Sequence, residues 1–119
     1  MTTEAATAVR HRDGVAVIDV LGDVDARAEA GLDAAWAEAL AAGPQAVALN
    51  FSSTGYINST GIALIVGILA AARAQHLPIR AFGLSPHYQE IFEITRLADF
   101  LAISPDEDTA IHQHEGEQS

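Results

Sequence analysis

The stretch NFSSTGYINSTGIALIVGIL, residues 50–69, changes halfway from a polar segment to an apolar one. The first half is rich in hydroxyl, amide and glycine residues, and the second half is almost purely apolar. The run QAVALNF at residues 45–51 leads into it and is typical of an interior strand. The order therefore predicts a strand, a polar loop and a buried helix from about Ser59 to His76, which Pro78 stops.

Residues 51–72 carry no charge, which raises the alternative of a membrane span. The polar first half argues against a span, because its serine, threonine and asparagine side chains would have to lose their water. The apolar part, residues 62–72, is about half of the roughly 20 residues that a span requires. We therefore expect a core helix and no insertion into a membrane.

The N-terminal segments predict a hairpin and a first helix. Asp13-Gly14 is a hairpin dipeptide between two apolar runs, so the first two strands should be antiparallel neighbours. Asp25 can cap a helix with apolar residues on one face, which Gly43-Pro44 stops.

The C-terminal segments continue the alternation of strands and helices. Residues 79–84 read as a further strand, and Ser85 with Pro86 starts a helix that has a buried stripe. Residues 101–103 add an optional edge strand, and a Ser-Pro-capped turn or helix follows before the chain end. Strands that alternate with helices favour parallel pairing.

These segments predict one α/β domain over residues 1–119. Its sheet should have four or five strands in mixed orientation, with the helices packed mainly on one face and the uncharged helix the most buried. We expect a core over about residues 8–104 and loose tails at residues 1–7 and about 113–119.

Composition disfavours several classes of function. Sixteen acidic residues against six arginines and no lysine give a formal charge of −10, so nucleic acid and anionic membrane surfaces are unfavourable partners. The absence of cysteine excludes disulfides, thiolate metal sites and cysteine nucleophiles. The N-terminus lacks the basic-then-apolar order of a signal peptide, and a cytoplasmic protein is expected.

Signals for catalysis, a metal or a cofactor are weak. Ser59 has no G-x-S-x-G setting, and no glycine-rich phosphate motif occurs. His112 and His114 lie in an acidic tail, where a solvated segment is the expected state. We expect no enzyme, no metal site and no cofactor.

The polar loop itself admits two interpretations. Asn58, Ser59 and Thr60 stand where they can cap the following helix, which is a purely structural role. The same position, at the positive end of a helix dipole, is one where a serine can carry a phosphate at modest cost. The residues alone leave both roles open.

The whole pattern resembles the STAS domain of bacterial anti-sigma factor antagonists, over roughly Ala8 to Ile103. The most specific part is the run from Ile57 to Ile62, which matches a hydrophobic-Asp-Ser-Ser/Thr-Gly-hydrophobic signature, and the turn from Gly22 to Asp25 supports it. Asn50 and Asn58 stand where the family usually has aspartate.

This resemblance implies a phosphoswitch at Ser59, with Thr60 as the second choice. The implied partners are an anti-sigma factor that is also a serine kinase, which binds the unphosphorylated protein and releases a sigma factor, and a serine phosphatase that restores the serine. The alternative is an unphosphorylated docking subunit of a stressosome-like assembly or a transporter ATPase. A monomer or weak dimer is expected. The implied partner surface comprises Asp23, Val24, Asn50, Tyr56, Asn58, Ser59, Thr60, Gly61 and Ile62.

Overall fold

The computed structural model describes residues 7–112 and begins with the hairpin that Asp13-Gly14 predicts. Strand β1 (Thr7–Arg12) pairs antiparallel with β2 (Val15–Val20). Asp13 has φ 51° and Gly14 has φ 82°, and positive values at both positions are what a two-residue I′ turn requires. The predicted antiparallel start of the sheet is confirmed.

Five further strands and four α-helices follow the hairpin within residues 7–112. In chain order these elements are β3 (Gly22–Val24), α1 (Glu29–Ala41), β4 (Ala46–Asn50), β5 (Thr54–Ile57), α2 (Ser59–Ala74), β6 (Ile79–Phe82), α3 (Pro86–Ile94), β7 (Ala102–Ser104) and α4 (Glu107–Ile111). Strands β4, β6 and β7 extend the hairpin in parallel, in the order β1-β2-β4-β6-β7. The predicted mixed sheet and its optional edge strand are confirmed.

Side-chain caps fix where the helices begin. Ser85 accepts a hydrogen bond from the Tyr88 amide at 3.2 Å and is followed by Pro86, as predicted. Asp25 caps a short 3-10 turn that leads into α1. The cap expected from a Ser-Pro pair before α4 is wrong, because Asp106 accepts from the Thr109 amide at 2.8 Å. A carboxylate two residues further on is the group that reaches the free amides.

The sheet is covered on both faces, although unequally. Ile18 and Leu49 point to the face that α1, α2 and α3 cover, which confirms helices mainly on one face. Val17 points the other way and packs with Ala110 and Ile111 of α4. The core therefore continues beyond residue 104, where the sequence pattern placed its end.

Helix α2 has one buried side and one open side. It buries Gly61, Ile65, Ile68, Leu69 and Ala72, more residues than any other helix between residues 7 and 112. This agrees with the expectation that the uncharged helix is the most buried one. Ala63, Val66, Gly67 and Ala70 are nevertheless exposed, because α2 packs on one face of one sheet.

No helix within residues 7–112 is long and apolar enough to span a membrane. The tails expected to be loose, residues 1–6 and 113–119, lie outside the described residues, as does His114. Thr7, which was expected in the N-terminal tail, is the first residue of β1.

Candidate functional site

A second, two-stranded sheet forms the base of the site. Strands β3 and β5 run parallel, with Gly22 opposite Thr54 and Val24 opposite Ile57. Residues 54–57, predicted as part of a loop, form a strand. The Asn58 amide donates to the Val24 carbonyl at 3.2 Å, so the β5 end and the start of α2 are tied to β3. The two segments predicted to share one surface do lie side by side.

Three side chains hold β5 in place. The Asp23 carboxylate accepts a hydrogen bond from the Tyr56 amide at 2.9 Å. The Thr54 hydroxyl donates to the Val20 carbonyl at 2.7 Å. The Tyr88 hydroxyl accepts from the Ile57 amide at 2.9 Å. Sequence reasoning missed the roles of Thr54 and Tyr88, since neither residue type carries a local signal for a partner more than thirty positions away.

Val24 and Gly61 are buried residues of the predicted partner surface. The Val24 side chain is fully buried. Gly61 is buried as well, and a Cβ at this position would overlap the Val24 carbonyl oxygen. Both residues belong to the predicted partner surface, and their burial indicates a contribution through packing rather than through exposed side chains. Their role is to bring α2 tightly against β3.

The exposed part of the site lies at the start of α2. Ser59 and Thr60 are exposed in its first turn, and Tyr56 is 67% exposed just before it. Ile62 is half-buried and packs against the core. Asn58 is the N-cap, and its Oδ1 accepts from the Gly61 amide at 2.8 Å.

The electrostatics of this turn suit a negative charge. The first amides of a helix have no acceptor within the helix, and the aligned peptide dipoles place a partial positive charge there. Ser59 is the first residue of a 16-residue helix, so a group attached to its hydroxyl would lie at that positive end. The capping role of Asn58 is confirmed, and it leaves Ser59 free for a second role.

Asn50 is bonded inside the protein at both ends of its amide. Its Nδ2 donates to Asp19 at 2.7 Å, and its Oδ1 accepts from the Ser52 amide at 2.9 Å and from the Ser52 hydroxyl at 2.6 Å. Asp19 is also paired with Arg10 at 2.7 Å. The hydrogen bond from Arg10, with a smaller contribution from Asn50, holds the pKa of Asp19 below its usual range, although burial opposes the shift. Asn50 thus connects the ion pair between β1 and β2 to the loop after β4.

The ion pairs continue from Arg10 to α4. Glu107 accepts from Arg10 at 3.0 Å and from Arg12 at 2.7 Å, and these bonds lower its pKa to about 2. This network fastens α4 to the hairpin across the sheet. A second pair lies nearer the site, where the Arg27 side chain and amide lower the pKa of Asp25.

The fold and the site together define a small α/β domain of the STAS type: a five-stranded mixed sheet, helices mainly on one face, and an exposed serine at the start of the second helix. The family profile described as "Mlab, STAS domain" matches residues 7–103. The chain belongs to the STAS domain family.

Individual proteins of similar sequence or structure share between 21% and 33% of their residues with the chain. The anti-sigma-B factor antagonist of Listeria monocytogenes serovar 1/2a is 33% identical over 55 residues, which cover 46% of the chain and 48% of the relative. The match thus spans about half the length of that protein. An anti-sigma factor antagonist from Mycobacterium paratuberculosis has a similar structure, with a TM-score of 0.72 and 22% identity over 88% of the chain and 89% of the relative.

The phosphorylated form of the Bacillus cell fate determinant SpoIIAA also shares the fold. Its TM-score is 0.68, with 21% identity over 89% of the chain and 96% of SpoIIAA. At these identities the two structural similarities are similarities of fold.

Proposed function

We propose that the chain is an anti-sigma factor antagonist controlled by phosphorylation of Ser59. In its unphosphorylated form it binds an anti-sigma factor that is also a serine kinase, and the sigma factor is released. Phosphate on Ser59 ends this binding, and a serine phosphatase restores it. The protein acts in the cytoplasm as a monomer or weak dimer and performs no catalysis itself.

The observation that carries this proposal is the position of Ser59. It is exposed at the first residue of α2, directly after an asparagine that already caps the helix. Its hydroxyl is therefore not required as a cap and is accessible to a kinase. The names of the relatives, anti-sigma factor antagonists in Listeria and Mycobacterium, support the same class of partner.

The switch needs no conformational change within the chain. A phosphoserine adds about −1.5 to −2 charges, which the positive end of α2 tolerates. In a desolvated interface with no cation opposite, that charge opposes association, and about 2.7 kcal/mol is enough to weaken binding a hundredfold. The phosphate is thus compatible with the folded chain but unfavourable in the interface with the partner.

The decisive experiment combines phosphorylation and binding. The chain is incubated with each purified anti-sigma serine kinase of the source cell and ATP, and the modified residue is identified by mass spectrometry. Binding of the same kinases is measured by calorimetry for the parent chain and for Ser59→Ala, Ser59→Asp and Thr60→Ala. We expect phosphate on Ser59, binding by Ser59→Ala, and at least a hundredfold weaker binding by Ser59→Asp.

Other results separate the alternatives. Phosphate on Thr60 alone would show that the neighbouring hydroxyl is the acceptor. Binding without phosphorylation would support the docking-subunit alternative, which the uncharged Asn58 beside Ser59 favours. Absence of both binding and phosphorylation by every such kinase would refute the proposal.

A further inference from the structure

Helices α1 and α2 enclose an apolar groove on the surface of the protein. It has a volume of about 230 Å³, and Leu32 and Trp36 line it from α1, with Leu64 and Ile68 from α2. Leu32 and Ile68 belong to the core, whereas Trp36 and Leu64 are half-buried and form its walls. The groove does not include Ser59, so it is separate from the phosphorylation site proposed above.

The packing of residues 7–112 gives no reason for a glycine at position 67, beside the groove. Glycine in the middle of a helix is less stable than alanine by about 1 kcal/mol. At Gly61 this cost has an internal reason, because a Cβ would overlap the Val24 carbonyl. At Gly67, in contrast, a Cβ would meet no other atom within 4 Å among the described residues. A missing side chain at an exposed helix position lets another backbone approach closely.

The charges at the groove select the chemistry of the occupant. Within the described part of the chain, the only charged residues that line it are Glu29 and Asp33, which lie four residues apart on α1. Residues at this spacing are neighbours on one face of a helix. A second copy of the chain would bring the same acids and a net charge of −10, so self-association through this face is unfavourable.

We propose that the α1–α2 groove docks an amphipathic helix of a partner protein. The apolar side of that helix rests on Trp36 and Leu64, and its backbone approaches α2 at Gly67. Arginine or lysine residues at its edge, spaced four apart, pair with Glu29 and Asp33. The groove is thus a second contact surface besides the exposed turn at Ser59, and its assignment to the same partner rests on the function proposed above.

A single tryptophan makes this proposal directly testable, because Trp36 is the only one in the chain and lines the groove. The probe is a synthetic peptide of about 20 residues, long enough to form a helix. One face carries leucine and alanine, and its edge carries arginines at positions i and i+4. A matched peptide carries glutamates in place of the arginines. Both are titrated at low salt while Trp36 emission is recorded.

We expect a saturable change in emission with the arginine peptide and about tenfold weaker binding of the glutamate peptide. Gly67→Leu should abolish the response, because its side chain fills the groove, and the melting temperature should not fall. Ala70→Leu is the matched control, since Ala70 is exposed on the same helix but does not line the groove. It should bind like the parent chain.

Charge reversal gives an independent result. The double variant Glu29→Arg, Asp33→Arg should prefer the glutamate peptide. No saturable response of the parent chain, equal affinity for both peptides, or undiminished binding by Gly67→Leu would each overturn the proposal. None of these results bears on phosphorylation of Ser59, so the two proposals fail separately.

Discussion

Asn50→Asp tests whether the stability of the fold depends on the amide of Asn50, which donates a hydrogen bond to Asp19. The amide nitrogen donates to the Asp19 carboxylate at 2.7 Å, and the Asp19 side chain is only 15% exposed. An aspartate at position 50 removes this donor and places a second carboxylate against the first. The resemblance described above leads to an expectation of aspartate at this position, yet an aspartate here conflicts with the Arg10–Asp19 ion pair.

Two contributions determine how much Asn50→Asp lowers the free energy of unfolding. Loss of a hydrogen bond to a charged group costs about 1.5–3 kcal/mol. Two like charges about 4 Å apart repel by about 4 kcal/mol at an effective dielectric constant near 20, and Arg10 and side-chain rotation reduce this value. We expect the free energy of unfolding at pH 7 to fall by about 2–4 kcal/mol, which lowers the melting temperature by roughly 10 °C.

The assay is urea unfolding followed by Trp36 emission, at pH 7 and pH 5. Repulsion raises the pKa of one carboxyl of the new pair in the folded state. The deficit of the variant relative to the parent should therefore grow as the pH rises above the ordinary carboxyl pKa and shrink as it falls. Asn58→Asp is the matched control, because it adds the same charge at a cap that accepts from the Gly61 amide. Equal stability of Asn50→Asp and the parent at pH 7 would refute the reasoning.

Four further substitutions test the supports of the site and of α4, and compare the two glycines within α2. Tyr88→Phe leaves the Ile57 amide without its acceptor, so we expect a loss of about 1–3 kcal/mol in stability and faster hydrogen exchange at Ile57. Glu107→Gln should reduce the loss of stability in acid. The pKa of Glu107 is lowered to about 2, so its stabilising contribution is present above the ordinary pKa near 4.5 and is lost as the pH falls from about 4.5 to about 2. Thermal unfolding of the variant and the parent across this pH range measures the difference. Gly61→Ala should destabilise by about 1–3 kcal/mol through overlap with a neighbouring carbonyl oxygen, whereas Gly67→Ala should stabilise by up to about 1 kcal/mol, and denaturant unfolding compares the two.

Local signals in the sequence were sufficient for most of the main sheet and its helices. Asp13-Gly14 determines the hairpin through its own backbone preference, and Ser85 with Pro86 caps α3 through groups three residues apart. Such features depend on neighbours along the chain, so the sequence displays them directly. The start of α2 at Ser59 was predictable for the same reason, since Asn58 bonds to an amide within its own helix.

Features that depend on distant partners were not predictable. Strand β5 exists because it pairs with β3, about thirty residues earlier, and its own residues carry no strong strand pattern. The Asp19–Asn50 bond likewise requires that β2 and β4 lie in register, with these two residues opposite each other. The burial of Val24 and Gly61 follows from the same packing, so the motif did not reveal that these two residues of the predicted surface pack α2 against β3.

The effect of an added negative charge on stability depends on where in the site the charge lies. At position 50 an added carboxylate faces Asp19, and repulsion lowers stability. At Ser59 an aspartate faces the free amides of α2, where an acidic group contributes about 0.3–1 kcal/mol of stability. Ser59→Asp should therefore melt at the same temperature as Ser59→Ala or slightly above it, while its binding to the kinase is the weaker of the two. Parallel losses of stability and binding in Ser59→Asp would mean that the serine supports the fold, and the charge at this turn would then have no separate effect on recognition.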